Sequence, residues 1–520
     1  MSDTLRQWAR AQLAALKVPV TRLVTDSRLI QRGDTFVAYP GDKSDGRQFI
    51  AAAIARGANA VIYEKLLSGH PQDAHHFAWD DAWQVPNLAV TDLRHKSGWL
   101  ADAVYGAPSE KLWLVGITGT NGKTSTCHWI AHALSRAGKR CALIGTLGNG
   151  FAGALQATEN TTPDAMRVHG LLAEYLREGA HAVAMEVSSH ALAQGRVNAV
   201  RFDVAMLTNL SRDHLDYHGD MQSYADTKRK LFDWQQLGFV VLNLDDAYGM
   251  ELAEQLQDAD AEVIAYGLSD AALQLAERLG LRMVYGNLLE MNGQGLRLAV
   301  HSSWGAAELN SALVGRFNAA NLMGALAVLL VSGVALDDAV ESLSVAQPVV
   351  GRMQRLGGAN DPTVIVDYAH TPDALEKVLQ ALREVSAAAG GKVFCVFGCG
   401  GDRDRGKRAM MGMVAERFSD FCIVTSDNPR GENPREIIAE IVNGMNEDNH
   451  EIILDRAAAI RSAILHARQS DTVLIAGKGH EDYQEINGVK HPFSDVSVAQ
   501  QALQSCGETA QARDETGSGQ

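Results

Sequence analysis

Short apolar runs recur along the chain, separated by stretches whose apolar residues repeat every three to four positions; the two periods predict strands and helices in turn. Between about 109 and 350 the runs at 112–117, 140–145, 181–187, 202–207 and 239–243 predict strands. Thr124 to Ala137 carries helix-like spacing at Trp129, Ile130, Ala133 and Leu134. Residues 282–316 read as antiparallel strands, and 319–332 as an Ala/Leu-rich helix. From about 351 the alternation restarts, with strands expected at 363–367, 392–397, 421–425 and 472–476. Residues 1 to about 108 hold an opening helix and then short apolar stretches at Val24–Arg28, Gly33–Ala38, Phe49–Ile54 and Gly57–Tyr63, a small α/β unit. From about Gly507 apolar periodicity stops, and 507–520 is expected to be disordered. The resulting expectation is an α/β protein of three domains: a small N-terminal α/β domain (1–108), a central mostly parallel sheet with helices on both faces (109–350), and a Rossmann-like C-terminal domain (351–506).

Polar residues cluster just after the predicted strands, where open parallel sheets place their ligands. After the first central strand comes Val115-Gly-Ile-Thr-Gly-Thr-Asn-Gly-Lys-Thr-Ser125. A strand, a glycine-containing turn and a helix start form a phosphate cradle of the P-loop type. Gly119 and Gly122 turn backbone N–H groups inward, Lys123 reaches outer phosphates, and Thr124 offers a hydroxyl to Mg²⁺. The usual spacing wants a glycine where Ile117 stands, so a tight strand-to-helix turn that binds nothing stays open as an alternative.

Composition narrows the classes. The chain has 520 residues, 46% of them hydrophobic, and no apolar run near the roughly 18 residues that a membrane span needs. The start, Met-Ser-Asp-Thr-Leu-Arg-Gln-Trp, lacks the order of a signal peptide, so a cytoplasmic protein is expected. A net charge of −15 argues against non-specific binding to nucleic acid or anionic membranes. The six cysteines, at 127, 141, 395, 399, 422 and 506, show no paired zinc spacing and are expected to be buried free thiols.

Mg²⁺ takes oxygen ligands and keeps waters, so a nucleotide site needs a carboxylate beside the threonine, and Glu186, ending a strand, is the candidate. His214 could hold a second cation, or serve as a hydrogen-bonded structural residue; Asp213 and Asp216 make its loop acidic. Gly398-Cys-Gly-Gly-Asp-Arg-Asp-Arg-Gly-Lys-Arg408 opens a helix and is expected to hold an anion. In Asp427-Asn-Pro-Arg430 proline stiffens a loop whose guanidinium could clasp a carboxylate bidentately. Ser27 and Arg28 could hold a diphosphate or form an exposed turn.

Taken together, Thr118-Gly-Thr-Asn-Gly-Lys-Thr124, Glu186-Val-Ser-Ser-His190, Thr208-Asn-Leu-Ser-Arg-Asp-His214, Gly315-Arg-Phe-Asn318, Asp367-Tyr-Ala-His370 and Asp427-Asn-Pro-Arg430 resemble the Mur ligases, ATP-dependent amide-forming enzymes of peptidoglycan synthesis. The resemblance runs from about Thr25 to Glu485 and includes a phosphate loop of this shorter form. It implies an enzyme that adds meso-diaminopimelate to UDP-N-acetylmuramoyl-L-alanyl-D-glutamate through an acyl phosphate. It implies that Gly119, Thr120, Asn121, Gly122, Lys123, Thr124 and Ser125 hold ATP with Asn318, Asn321, Arg352 and Asp367. Thr124 and Glu186 would ligate Mg²⁺, and His214 with a carbamate on Lys228 a second Mg²⁺; Lys123, Glu186, His214 and Lys228 form the implied catalytic set. Ser27, Asn160, Thr161, Thr162, Ser188, Gln194 and Arg196 would meet the UDP-sugar peptide. Arg403, Asp427, Asn428, Pro429, Arg430, Gly477 and Glu481 would form the amino-acid pocket. The implied partners are these small molecules, with no nucleic acid or membrane span, and a monomer is expected.

Competing expectations differ in what they consume. A lysine-adding member would leave an arginine aimed at the distal carboxylate unpaired, which makes Arg430 the expected selectivity residue. A folylpolyglutamate synthetase shares the nucleotide core but has no need of the Asp427–Arg430 loop. A P-loop switch or motor would turn over nucleotide without any amino acid.

Overall fold

The computed structural model describes residues 2–42, 44–65, 77–357 and 361–505. The expectation of a disordered 507–520 tail and of a free Cys506 lies outside these residues. The opening helix is Ser2–Ala15, and four parallel strands follow in chain order: Leu23–Val24, Thr35–Ala38, Ala60–Glu64 and Asn87–Val90. Within the Phe49–Ile54 run, residues 50–54 lie in the helix Ile50–Ala55, with Phe49 ending the short 3₁₀ turn that precedes it. Alanine occupies its middle, and alanine is the strongest helix former. Helix Leu93–Tyr105 then leads toward the second sheet.

That sheet has eleven strands. Six central neighbours, Glu262–Gly267, Phe239–Asn243, Val204–Leu207, Trp113–Thr118, Ala182–Glu186 and Cys141–Gly145, run parallel. Arg282–Asn292 joins them in parallel and continues antiparallel into Gly295–Ser302 and Gly305–Ser311, while Gly148–Phe151 and Ala154–Gln156 fold back at the other edge. Alternate residues of one strand enter opposite cores, because successive side chains point to opposite faces. Val115 and Ile117 pack with Trp129, Ile130 and Leu134 of helix Lys123–Arg136 and with helix Arg316–Val331; Leu114 packs with Val168 and Leu172 on the other face.

The third sheet runs Gln354–Leu356, Thr363–Asp367, Thr472–Ala476, Val393–Phe397, Phe421–Val424 and His450–Ile452, parallel but for its first strand. Cys127, Cys141, Cys395, Cys399 and Cys422 are buried free thiols. Behind the sheet, Arg456 makes a bidentate pair with Asp495, Nε to Oδ1 and Nη2 to Oδ2 both at 2.8 Å, and Nη2 also reaches the Ala476 carbonyl. Both side chains are fully buried. Leaving one buried charge without its partner costs about 3–5 kcal/mol. Asp495→Ala is therefore expected to lower the unfolding free energy by about that amount in urea titrations, with Arg456→Ala similar; a change under about 1 kcal/mol would refute the role.

Candidate active site

The loop after Trp113–Thr118 leaves the centre of the second sheet between two parallel neighbours. Ile117, where a glycine was expected, is a fully buried strand residue, so the loop begins only at Gly119. Gly119 has φ +143°, and a Cβ there would lie 1.9 Å from Thr208 Oγ1; one on Gly122, at φ +85°, would lie 2.7 Å from Asn321 Oδ1. Gly119→Ala combines an unfavourable φ with overpacking against Thr208, each costing about 1–3 kcal/mol. It is expected to weaken nucleotide binding at least tenfold in calorimetric titration while lowering the melting temperature, and unchanged affinity would exclude a strict glycine requirement. Lys123 opens helix Lys123–Arg136 and, without a ligand, donates to the Gly119 and Thr120 carbonyls at 2.9 and 2.8 Å.

Glu186 ends the adjacent strand and is buried. Its Oε2 accepts from Thr124 Oγ1 at 2.9 Å and Thr146 Oγ1 at 3.1 Å, its Oε1 from Thr146 N at 2.8 Å, and Arg352 Nη2 stands 3.3 Å from Thr124 Oγ1. A neighbouring cavity of about 660 Å³ is lined by 120–125, Glu186, His214, Asn318, Asn321, Arg352 and Asp367. Asp367 accepts from Met353 N at 2.7 Å, and burial raises its carboxyl above the ordinary range.

Beneath the loop, Lys228 is buried, with Nζ donating to the Gly119 carbonyl at 3.0 Å and 4.5 Å from the Tyr224 ring centre. Among the described residues no carboxylate lies within ion-pair range of it, and burial, with the nearby Lys123 charge, holds its ammonium well below the usual lysine range. His214 Nε2 lies 3.2 Å from Asp213 Oδ2. Asp213 does more than acidify the loop: it is buried, and His370 Nε2 (3.5 Å) and Lys407 Nζ (3.4 Å) reach it from beyond residue 351. Asp216 is exposed. Among the described residues no group of three or more His, Cys, Asp or Glu gathers for a metal. The paired oxygens of Thr124 and Glu186 instead suit a hard cation that keeps waters and phosphate oxygens as its other ligands.

A larger cavity of about 1300 Å³ shares Thr146, Thr161, Asp213, His214, Tyr368 and His370 with the first. Asn160, Ser188, Gln194 and Arg196 lie on one side of it, and Arg403, Asp427, Asn428, Arg430, Gly477 and Glu481 on the other. Thr162 is buried behind this wall, donating to the Glu186 carbonyl at 2.7 Å and accepting from Ser188 N. Arg196 donates to Gln194 Oε1 and the Thr162 carbonyl, each at 2.8 Å, and Gln194 Nε2 reaches Asp42 of the first sheet's region at 2.7 Å. Ser27 lines neither cavity; it is buried in the 3₁₀ turn Ser27–Leu29, whose Arg28 pairs with Asp26.

On the third sheet's rim Arg430 has φ +50°; its Nη1 donates to the Gly401 carbonyl at 2.8 Å and its Nε lies 3.3 Å from Glu485. Pro429 contributes its carbonyl backbone, against which a Cβ on Gly401 would sit at 1.9 Å. Arg403 is exposed, donating to the Asp402 carbonyl. Lys478, given no role in the sequence reading although it lies between Gly477 and Glu481, is buried and bonded to Asn428 and Glu481. Three further links across the rims were also missed: Asp373 accepts from Asn121 at 3.0 Å and from Ser211 at 3.2 Å, and Arg212 pairs with Asp404 at 3.0 Å. Nothing local in the sequence pairs residues so far apart.

Comparison with known proteins adds three family matches: residues 19–105 to the Mur ligase family catalytic domain, 117–329 to the Mur ligase middle domain, and 351–479 to the Mur ligase glutamate ligase domain. The chain is 50% identical to the UDP-N-acetylmuramoyl-L-alanyl-D-glutamate–2,6-diaminopimelate ligase of Chromobacterium violaceum, over 97% of this chain and 98% of that one. With the Pseudomonas aeruginosa protein of the same name it shares 48% identity, over 93% and 95%. A solved structure of a ligase of this name superposes with a TM-score of 0.61 at 36% identity, covering 94% of this chain and 95% of that one. MurF from Acinetobacter baumannii superposes with a TM-score of 0.65 at 19% identity over 93% and 94%, a likeness of fold.

Proposed function

The chain belongs to the Mur ligase family, and from that premise we propose how its residues carry out the family's chemistry. It is an ATP-dependent ligase that joins meso-diaminopimelate to the D-glutamyl residue of UDP-N-acetylmuramoyl-L-alanyl-D-glutamate in peptidoglycan synthesis, releasing ADP and phosphate. The observation that carries the site assignment is the common wall of the two cavities, where the phosphate loop's chamber opens into the chamber bounded by Arg196 and Arg430.

In this reading ATP lies in the smaller cavity, its phosphates on the N–H groups of 119–125 and on Lys123, which exchanges its carbonyl partners for phosphate oxygens. Asn318 and Asn321 flank the adenine, Asp367 the ribose, and Arg352 the phosphates. Thr124 and Glu186 would hold one Mg²⁺, and His214 with a carbamate on Lys228 a second; bound there, the ions neutralise crowded anions. Asn160, Thr161, Ser188, Gln194 and Arg196 orient the sugar peptide from the wall of the larger cavity, with Thr162 bracing Ser188 and Arg196 from behind and Ser27, outside both cavities, meeting the uridine nucleotide. Its glutamyl carboxylate attacks the γ-phosphorus, the bond to ADP breaks, and an acyl phosphate forms. The neutral amine of diaminopimelate, placed by Arg403, 427–430, Gly477 and Glu481, then attacks the acyl carbon; the C–N bond forms, phosphate leaves, and the amine's proton passes to solvent. Positioning supplies most of the rate.

We further propose domains of 1–108, 109–350 and 351–506, a monomer, and a cytoplasmic location. Among the described residues no helix is long and apolar enough to cross a membrane. The test is coupled phosphate release with the UDP-N-acetylmuramoyl dipeptide and diaminopimelate, lysine or no amino acid. Release should require the dipeptide and be fastest with diaminopimelate; equal release in all three would sink the ligase reading.

A further inference from the structure

Lys478 meets three polar side chains of the amino-acid rim at once, Asp427, Asn428 and Glu481. Its Nζ donates to Asn428 Oδ1 at 2.9 Å and Glu481 Oε2 at 3.0 Å and lies 3.6 Å from Asp427 Oδ1, and its side chain is wholly buried. The Tyr483 ring covers it at 5.6 Å. Lys478 cannot be an entering substrate's partner, because every direction to its ammonium is filled by protein. It acts on what surrounds it.

Its geometry sorts the oxygens. Glu481 Oε2 is doubly engaged, by Lys478 and by Asn428 Nδ2 at 2.7 Å, which leaves Oε1 without a partner among the described residues, on a side chain that lines the large cavity. Asp427 turns Oδ1 toward Lys478, and its Oδ2 lies 2.6 Å from where a Cβ on Gly477 would stand, so glycine is needed to leave that oxygen room. Asn428 Oδ1 accepts from Lys478 and from Glu485 N at 2.9 Å, which fixes the amide so that its Nδ2 faces Glu481. Two carboxylates that share one cation are drawn toward it, and without it their like charges push them apart.

We propose that Lys478 is a positioning residue for amino-acid selection: it draws one oxygen each of Asp427 and Glu481 to itself and so fixes where their other oxygens stand on the cavity wall, a paired acceptor for an ammonium centre of a diamino-acid substrate. The inference rests on the ligase reading above and deepens it. The acids read the ammonium, while the buried cation sets their spacing.

The experiment is steady-state kinetics of full-length Lys478→Met with each substrate varied in turn, beside wild type and Asp427→Asn. Lys478→Met is expected to raise KM for diaminopimelate at least tenfold and to leave KM for ATP and for the UDP-dipeptide within twofold. The double variant Lys478→Met/Asp427→Asn should show a smaller rise than the product of the two single effects, since removing one acid relieves the imbalance. Parallel increases in all three KM values, or multiplicative single effects, would overturn the proposal. Should the methionine variant fail to fold, Lys478→Gln, which keeps a donor for Asn428 without the charge, is judged by the same criteria. Wild type that releases no phosphate in response to diaminopimelate would instead refute the ligase reading itself.

Discussion

Lys228→Ala is expected to lower kcat about a thousandfold, roughly 4 kcal/mol of transition-state stabilisation, with KM for diaminopimelate little changed. A buried lysine whose ammonium meets a carbonyl and a ring, with the Lys123 charge nearby, pays heavily to remain charged. Its lowered proton affinity favours the neutral amine, the form that would add to CO₂, forming an N–C bond and releasing one proton. That carbamate would place anionic oxygens beneath the phosphate loop, where an ammonium would repel a cation. Two measurements separate this role from a structural one. Wild-type activity should fall in CO₂-free buffer and recover with bicarbonate, and ¹³C-bicarbonate should give a carbamate resonance that Lys228→Ala lacks. A kcat loss under tenfold, or no response to bicarbonate, would show that Lys228 serves only as a hydrogen-bond donor to Gly119.

The second large effect is on choice of amino acid. Arg430→Ala should reduce the ratio of kcat/KM for diaminopimelate over lysine by roughly 30-fold or more. Removing a buried, hydrogen-bonded charge partner costs about 2–5 kcal/mol, and each 1.4 kcal/mol is a factor of ten. The guanidinium is pre-set before any ligand arrives, by the Gly401 carbonyl, by Glu485 and by a backbone bond from Arg430 N to the Glu485 carbonyl at 3.0 Å. Arg430→Lys should recover little of the preference, because an ammonium lacks the planar fork that meets a carboxylate with two parallel bonds. A variant that still strongly prefers diaminopimelate would move selectivity to another residue, with Arg403 the nearest alternative on the same rim.

Much of this was legible in the chain because strand cores and phosphate loops are local. The runs at 112–117 and 472–476 announce buried parallel strands by composition, and the 119–125 loop announces its glycines by the turn it must make. Other elements were missed for equally local reasons. Gly148–Phe151 and Ala154–Gln156 are short strands at the sheet's edge with too few apolar residues to form a run, and Asn87–Val90 has a run of only three, largely exposed. Phe49–Ile54 has the composition of a strand at its ends and of a helix in its middle, and tertiary packing decides for the helix.

The sequence by itself determined the class of fold, the phosphate loop, and, through a set of scattered motifs, the family. Each single strand, helix or motif behind these readings is written within about a dozen residues, where backbone sterics and side-chain period act directly. Only the tertiary structure decided which charges meet. Asp213 acquires Lys407 and His370, Asn121 acquires Asp373, and Lys478 is enclosed by Asn428, Asp427 and Glu481. Burial is what gives these contacts their strength, since a charge removed from water must find its partner in the protein, and burial is a property of the assembled sheets rather than of any one stretch of chain.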